Sequence, residues 1–279
     1  MKLTQEFEEI FQKIKSSKPL IHHITSYVTA NDSANAVLAL GGSPVMADEE
    51  QEVEEMVSLA SALVLNIGTL NHQKMKSFLR AGKKANALGI PVVLDPVGLG
   101  STRLRQDFVA DFLTKVQPSV IRGNMSEMVS LSGSPALMKG VDSTLSSEEG
   151  GDEIAKTLAE RLQCTIAITG KVDVVSNGSV TYHIDNGHPH LSKITGTGCV
   201  SSSFIGLCCA SGGPPIYSAL LGLSIMGISG EIAESRLDPQ KGQGLGSFKV
   251  HLFDAFSRFS LKDYQERGKI YEIQSSRQL

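Results

Sequence analysis

The sequence predicts an α/β protein: a largely parallel central sheet with helices on both faces and a small antiparallel hairpin. Short β-branched runs ("PLIHHIT", "SPVMA", "ALVLNIG", "IPVVLDPVG", "SVIRGN", "CTIAITG") alternate with helical patterns. The runs are nearly continuous in apolar residues, as strands covered on both faces must be. One stretch, "VDVVSNGSVTYHI", breaks the alternation with two β-prone runs joined by Asn177-Gly178, a preferred pair for a two-residue hairpin turn. Ligands of such sheets gather beyond the carboxyl ends of the strands.

Taken in order, "MKLTQEFEEIFQKIKSS" is a charged amphipathic helix without the apolar stretch of a signal peptide. On the first strand, His22 and His23 are expected to be one core and one surface histidine. Val53, Met56, Val57, Ala60 and Leu63 are read as one helical face, and Ile154, Ala155, Leu158, Ala159 and Leu162 as another. From Cys199 onward the pattern is helical, and its many Gly, Ala and Ser residues predict close helix packing. No composition shift, linker or internal repeat divides the chain, so residues 1–279 are expected to form a single domain. Its polar tail, from about residue 262, is expected to fray.

Composition narrows the function classes. With 26 basic and 29 acidic residues, a net charge of -3 and no basic block, the chain has no electrostatic footprint for nucleic acid or an anionic membrane surface. The longest nearly apolar run, "IYSALLGLSIMGI", is too short to span a bilayer. A soluble, cytoplasmic protein with a small-molecule partner is expected. The four cysteines, Cys164, Cys199, Cys208 and Cys209, lack zinc-ligand or disulfide-scaffold spacing, and Cys208 and Cys209 read as core packing.

Three stretches carry candidate chemistry. Asp95 ends the strand "IPVVLDPVG", where Pro96 stops the ladder at the ligand crevice; it either caps a turn or faces a ligand. In "IRGNMSEM", Asn124 and Glu127 have capping-box spacing, so Glu127 is either a cap or a second acid beside Asp95. Two such carboxylates suit Mg²⁺, which takes hard oxygen ligands, and Arg122 either reaches a phosphate as a planar fork or makes a surface salt bridge. In "TGTGC", the amides of residues 196–199 at a helix start converge as an anion hole, formed by Gly196, Thr197, Gly198 and Cys199, unless the turn is merely structural.

The same helix field should lower the pKa of Cys199 and let it serve as a general base. A nucleophilic role assisted by His183, His188 or His190, or a filler role, are the alternatives. Neither a Walker A loop nor G-x-G-x-x-G occurs in the chain.

Read together, "PLIHHITSYVTANDSANAVLALGGSPVMA", "ALVLNIGTL", "GIPVVLDPVGLGSTRLR", "IRGNMSEM", "KGVDS", "IAITGKVDVV" and "TGTGC" resemble the hydroxyethylthiazole kinases of thiamin salvage, in collinear order from about residue 18 to 255. The resemblance implies a ribokinase-like fold, ATP as co-substrate, Mg²⁺, and a homotrimer with active sites between subunits. It implies transfer of the γ-phosphoryl group to the alcohol of 4-methyl-5-(2-hydroxyethyl)thiazole. By motif, Asp95 and Glu127 would hold the metal and its waters, Arg122 and Thr169 would contact ATP, and Met46 and Gly196 would line the thiazole pocket. Cys199 stands where related sugar kinases carry an aspartate base.

Two positions depart from the family pattern: Ser26 in "ITSY" replaces an asparagine near the phosphates, and "GQGLGSF" replaces a shorter proline-containing loop. A kinase for hydroxymethylpyrimidine, a non-catalytic thiazole or nucleotide binder and a cysteine hydrolase are the competing readings.

Overall fold

A computed structural model of the chain describes residues 2–133 and 150–273; the "KGVDS" motif lies outside them. In chain order the elements are α1 (Lys2–Ser17), β1 (Leu20–Ile24), α2 (Ala30–Leu40), β2 (Ser43–Met46), α3 (Val53–Leu59), β3 (Ala62–Asn66), α4 (His72–Leu88) and β4 (Val92–Asp95). Next come α5 (Arg103–Leu113), β5 (Val120–Asn124), α6 (Met125–Ser132), α7 (Gly151–Leu162), β6 (Thr165–Thr169), β7 (Asp173–Ser176) and β8 (Thr181–Ile184). The chain then runs through a 3-10 turn (Pro189–Lys193), α8 (Thr197–Ala210), α9 (Pro215–Ser235), α10 (Leu245–Arg258), α11 (Leu261–Arg267) and β9 (Ile270–Ile273).

Among the described residues, all nine strands join one sheet in the order β2-β1-β3-β4-β5-β6-β7-β8-β9. Pairings are parallel from β2 to β6 and antiparallel from β6 to β9. The βαβ crossovers place one apolar cluster on each face. One is built on α1, α2, α8, α9 and α10, with Phe7, Phe204 and Phe256 at its centre. The other is built on α3 to α7, with Phe78, Phe108 and Phe112. The alternation legible in the sequence is thus the architecture, and every parallel strand ends on the same edge.

Four local expectations are corrected. Leu63 belongs to β3 rather than to the helix of Val53, because α3 ends at Leu59 and the chain is extended by Ala60. His22 and His23 are both buried: a strand covered on both faces leaves neither side exposed. Burial pushes the His23 imidazole down to about 4, so it stays neutral.

The hairpin turn sits one residue later than predicted. Asn177 N–H donates to the Val180 carbonyl (3.3 Å), so Gly178 and Ser179 are the central pair, with Gly178 at φ 89°. The Asn177 side chain accepts the amides of Ser179 and Val180, which favours this glycine-first turn. Finally, the tail does not fray at residue 262: α11 follows, and Ile270–Ile273 pairs with β8.

The α9 segment also exceeds the length expected of its apolar run. At 21 residues it is long and apolar enough to cross a membrane, yet 89% of its most apolar stretch is buried in the fold. It packs on α8 through small residues: a Cβ at Gly222 would lie 2.7 Å from the Ile205 backbone nitrogen. Replacing glycine by alanine in a helix gains about 1 kcal/mol of propensity, but overpacking against a fixed backbone costs about 1–3 kcal/mol. The Gly222→Ala variant should therefore have a lower Tm than the parent; an unchanged or higher Tm in thermal unfolding would contradict this tight contact.

Candidate active site

The site is assembled at the carboxyl ends of β3, β4, β5 and β6, opposite the first turn of α8. The ladder register sets Asn66 beside Asp95 and Asn124 beside Thr169. Asp95 is fully buried, and its two oxygens differ. Oδ2 accepts hydrogen bonds from Asn66 Nδ2 (2.8 Å) and Ser202 Oγ (2.9 Å) and lies 3.8 Å from Arg122 Nη1. Oδ1 is buried without a partner. Burial, reinforced by the Glu127 charge, pushes the Asp95 carboxyl up to about 6, with Arg122, Ser202 and Asn66 pulling the other way.

Glu127 is a true cap. Its Oε2 accepts the Asn124 amide (2.8 Å), while Asn124 Oδ1 accepts the Glu127 amide (3.0 Å). Oε1 accepts the Gly98 amide (2.8 Å), which ties the loop after β4 to α6. The cap reading of Glu127 holds, and its carboxylate also lies close enough to Asp95 to raise that acid. Each oxygen keeps a second lone pair, and the orphaned Asp95 Oδ1 needs a donor or a cation. A hard oxygen set with several retained waters suits Mg²⁺ at this place.

Arg122 is mostly buried rather than on the surface, with its side chain 12% exposed. Its Nη2 donates to Thr169 Oγ1, and Thr169 Oγ1 in turn lies 3.3 Å from the Gly123 carbonyl. Arg122 Nε has no partner, so the guanidinium keeps donor capacity. Gly198 lies under the same fork: a Cβ there would fall 2.5 Å from Arg122 Nη1. Glycine is needed at that position for the helix start to approach the arginine.

The turn into α8 has the predicted form. Gly196 sits at the N-cap with φ 95°, and the first bond of the helix ladder runs from Val200 N–H to the Gly196 carbonyl (2.9 Å). The amides of Thr197, Gly198 and Cys199 therefore precede the ladder at the positive end of the helix.

Cys199 departs from the expected lowered pKa. Burial, with the Asp95 charge second, pushes its thiol up; hydrogen bonds from Thr29 and Asn66 and the Arg122 charge pull only partly back. For this half-buried sulfur, desolvation is the largest effect and the neighbouring acid adds to it. Cys208 and Cys209 are core residues, as expected. Met46 ends β2, three strands from Asp95 and therefore about 14 Å away at ordinary strand spacing. His183 bonds Asp152 (2.6 Å) and His190 bonds Glu234 (2.6 Å), so both rings are engaged by other carboxylates.

Several residues of the site were not singled out from the sequence. Asn66 Nδ2 lies within donating distance of both Asp95 Oδ2 and Cys199 Sγ (3.2 Å), and its Oδ1 accepts the Gly68 amide (2.9 Å). Its place at the end of "ALVLN", level with Asp95, was the available signal. Ser202 falls one turn after Gly198. Arg105 donates to the carbonyls of Ile67, Val97 (2.7 Å) and Gly68 (2.9 Å), clamping the loops after β3 and β4. Asp173, in "GKVD", is pushed up to about 7 by burial and feels the Arg122 charge.

A mostly parallel α/β sheet with an acid, an arginine and a glycine-opened helix start gathered at its carboxyl edge is the layout of a ribokinase-like fold. Comparison agrees: the Hydroxyethylthiazole kinase family model matches residues 11–262, and the chain belongs to that family of kinases. A curated hydroxyethylthiazole kinase of Alkaliphilus oremlandii is 56% identical over 273 residues, covering 98% of this chain and 100% of that one. One from Clostridium tetani is 45% identical, covering 97% and 99%. The solved hydroxyethylthiazole kinase of Pyrococcus horikoshii is 35% identical with a TM-score of 0.85, covering 97% and 100% of the two chains. A Staphylococcus aureus pyridoxal kinase in complex with AMP-PCP and pyridoxal shares the fold, at 17% identity and a TM-score of 0.57.

The raised Asp95 carboxyl has a sign that can be measured. Between about 4 and 6 the folded chain keeps a proton that the unfolded chain has lost, so this group lowers stability as pH rises through that window. Asp95→Asn should therefore unfold later than the parent above pH 6, without added Mg²⁺, by up to about 2–3 kcal/mol, with the gain shrinking toward pH 4. Denaturant titrations at both pH values test this; a variant less stable than the parent at pH 8 contradicts it.

Proposed function

We propose that the chain transfers the γ-phosphoryl group of ATP to the hydroxyl of 4-methyl-5-(2-hydroxyethyl)thiazole in thiamin salvage, by in-line displacement with Mg²⁺. The observation that carries this reading is the convergence, at one strand edge, of Asp95 with a free oxygen, the Arg122–Thr169 pair and the helix start holding Cys199. Near-full-length identity to curated kinases of that name supports the acceptor.

Arg122 and Thr169 bind the nucleotide, and the amides of Thr197, Gly198 and Cys199 cradle the migrating phosphoryl group. Asp95, through its free Oδ1, and Glu127 would hold a Mg²⁺ ion, which would supply positive charge to the phosphates and offset the Asp95 charge that raises the Cys199 thiol. Met46 and Gly196 line the pocket for the thiazole. With a loose transition state the attacking hydroxyl becomes acidic late, and Cys199 takes its proton only in the thiolate form, having first released its own proton to solvent, a loss that a cation on Asp95 would favour.

The magnitudes rank these parts. A single anion-hole donor contributes roughly 3–4 kcal/mol, and a general base roughly 10²–10⁴-fold, about 3–5 kcal/mol. Several amides act at once, whereas the thiol is one group whose thiolate is disfavoured at rest. Losing Cys199 should thus leave residual turnover, and losing Asp95 should do more damage.

The cytoplasm is the proposed location, a homotrimer with active sites between subunits the proposed assembly, and nucleic acid and membranes are not partners. Met46 lies on the same edge, three strands along it from Asp95, and Tyr27 (76% exposed) and Val28 (59%) present apolar surface just after Ser26. The chain acts as a single kinase domain. Light scattering should give three times the chain mass; a fully active monomer would contradict the shared site.

ADP release with the thiazole alcohol, with hydroxymethylpyrimidine and with no acceptor tests the substrate. The thiazole alcohol should give the highest kcat/KM, and equal release in all three would overturn the assignment. In the same assay Cys199→Ala should retain measurable kcat and Asp95→Ala fall further. A dead thiol variant beside a nearly normal Asp95→Ala would reverse the ranking.

A further inference from the structure

Outside the active site, His188, His190 and Glu234 bring their ligand atoms within 4.8 Å of one another. His188 and His190 flank Pro189 at the start of the 3-10 turn, and Glu234 lies in the last turn of α9. Glu234 Oε2 is 2.6 Å from His190 Nδ1 and 3.6 Å from His188 Nδ1. His188 Nδ1 also accepts the His190 amide (3.2 Å), so the ring nitrogen turned toward the carboxylate carries a lone pair rather than a proton. His190 Nδ1–H donates to Glu234 Oε2, so a metal bound here would displace that proton and replace both hydrogen bonds. We propose that these three side chains form a binding site for a divalent transition-metal ion of the zinc class, distinct from the Mg²⁺ of phosphoryl transfer.

The dimensions and chemistry fit. A tetrahedral ion with ligand bonds of about 2.0–2.1 Å needs ligand atoms about 3.3 Å apart, so the two pairs to Glu234 adjust by under about 1 Å and the histidine pair, within 4.8 Å, by at most about 1.5 Å. Two nitrogens and one carboxylate oxygen select zinc, cobalt or nickel over magnesium, which takes oxygen. The three side chains are 29%, 26% and 35% exposed, which leaves a side open for a water as fourth ligand. Phe248 packs against both rings, 6.3 Å from His188 and 5.3 Å from His190 between centroids. That apolar wall limits competing hydration.

The frame around the cluster is fixed. Glu231, one turn earlier on α9, accepts the Asn186 side chain and the Gly187 amide (both 3.1 Å) and so anchors the segment entering His188. Downstream, Thr197 Oγ1 donates to the Leu191 carbonyl (3.0 Å). A metal joining the 3-10 turn to α9 restrains the segment that leads into the turn at 196–199.

The test is calorimetric titration of the full-length, chelator-stripped protein with Zn²⁺ in millimolar Mg²⁺, which keeps the oxygen site filled. One saturable ion per chain and a higher Tm are expected. His190→Asn and Glu234→Gln should each weaken binding at least about tenfold, as losing a ligand does more than losing its supporting contacts. His183→Asn, which removes the other closely paired histidine, should leave it unchanged. Cobalt substitution should give a visible ligand-field band without the intense near-ultraviolet absorption of a thiolate ligand. Absence of saturable binding, binding retained in the His190 and Glu234 variants, or a thiolate signature would each overturn the site. Far-ultraviolet circular dichroism of the variants separates lost binding from lost folding.

Discussion

The arrangement of the candidate site turns on one buried carboxylate. Asp95 has lost its water entirely, and only one of its oxygens is repaid with protein donors, from Asn66, Ser202 and the more distant Arg122. A buried acid in that state is costly to the fold. The cost is tolerable because three separate elements, β3, β5 and α8, converge to orient it. That convergence also brings the thiol of Cys199 and the fork of Arg122 within reach of the same space. Positioning of the acid and assembly of the site are one event.

The glycines of the turn into α8 complete this arrangement by what they leave out. Side-chain atoms at residue 198 would collide with Arg122, and Gly196 holds a left-handed conformation next to Thr29. A helix start stripped of side chains can approach a guanidinium and still offer its amides to an anion. The thiol just inside it is not a free nucleophile. Desolvation and the neighbouring acid work against its ionisation, so the thiol must give up its own proton before it can accept another.

Much of the fold was legible in the sequence because it depends on periodicity. Apolar runs covered on both faces marked β1 to β6, and the glycine-rich turn marked the start of α8. What escaped depended on pairing across distance. The β-prone "KIYEI" becomes an edge strand only because β8 leaves an unpaired side for it. Asn177-Gly178 signalled the hairpin, but the side chain of Asn177, by binding the amides of Ser179 and Val180, moved the turn by one residue.

In the site, Thr169 came only from the family resemblance, whereas Asp95 and Arg122 stood out as polar residues at strand ends. Asn66 did not, since nothing local distinguishes an asparagine that closes a strand from one that spans an acid and a sulfur. The direction of the Cys199 shift was misread for the same reason: the helix start is visible in the sequence, whereas the buried acid beside the sulfur is a tertiary fact.

The central claim is that the phosphoryl group travels between the bare amides at the start of α8 and a cation held on the free oxygen of Asp95. A crystal structure of the protein with Mg²⁺ and a non-hydrolysable ATP analogue tests it most directly. The account predicts the terminal phosphate within hydrogen-bond distance of the amide nitrogens of residues 197–199 and the metal, or one of its waters, on Asp95 Oδ1. A triphosphate bound elsewhere, with Asp95 Oδ1 still without a partner, would contradict it.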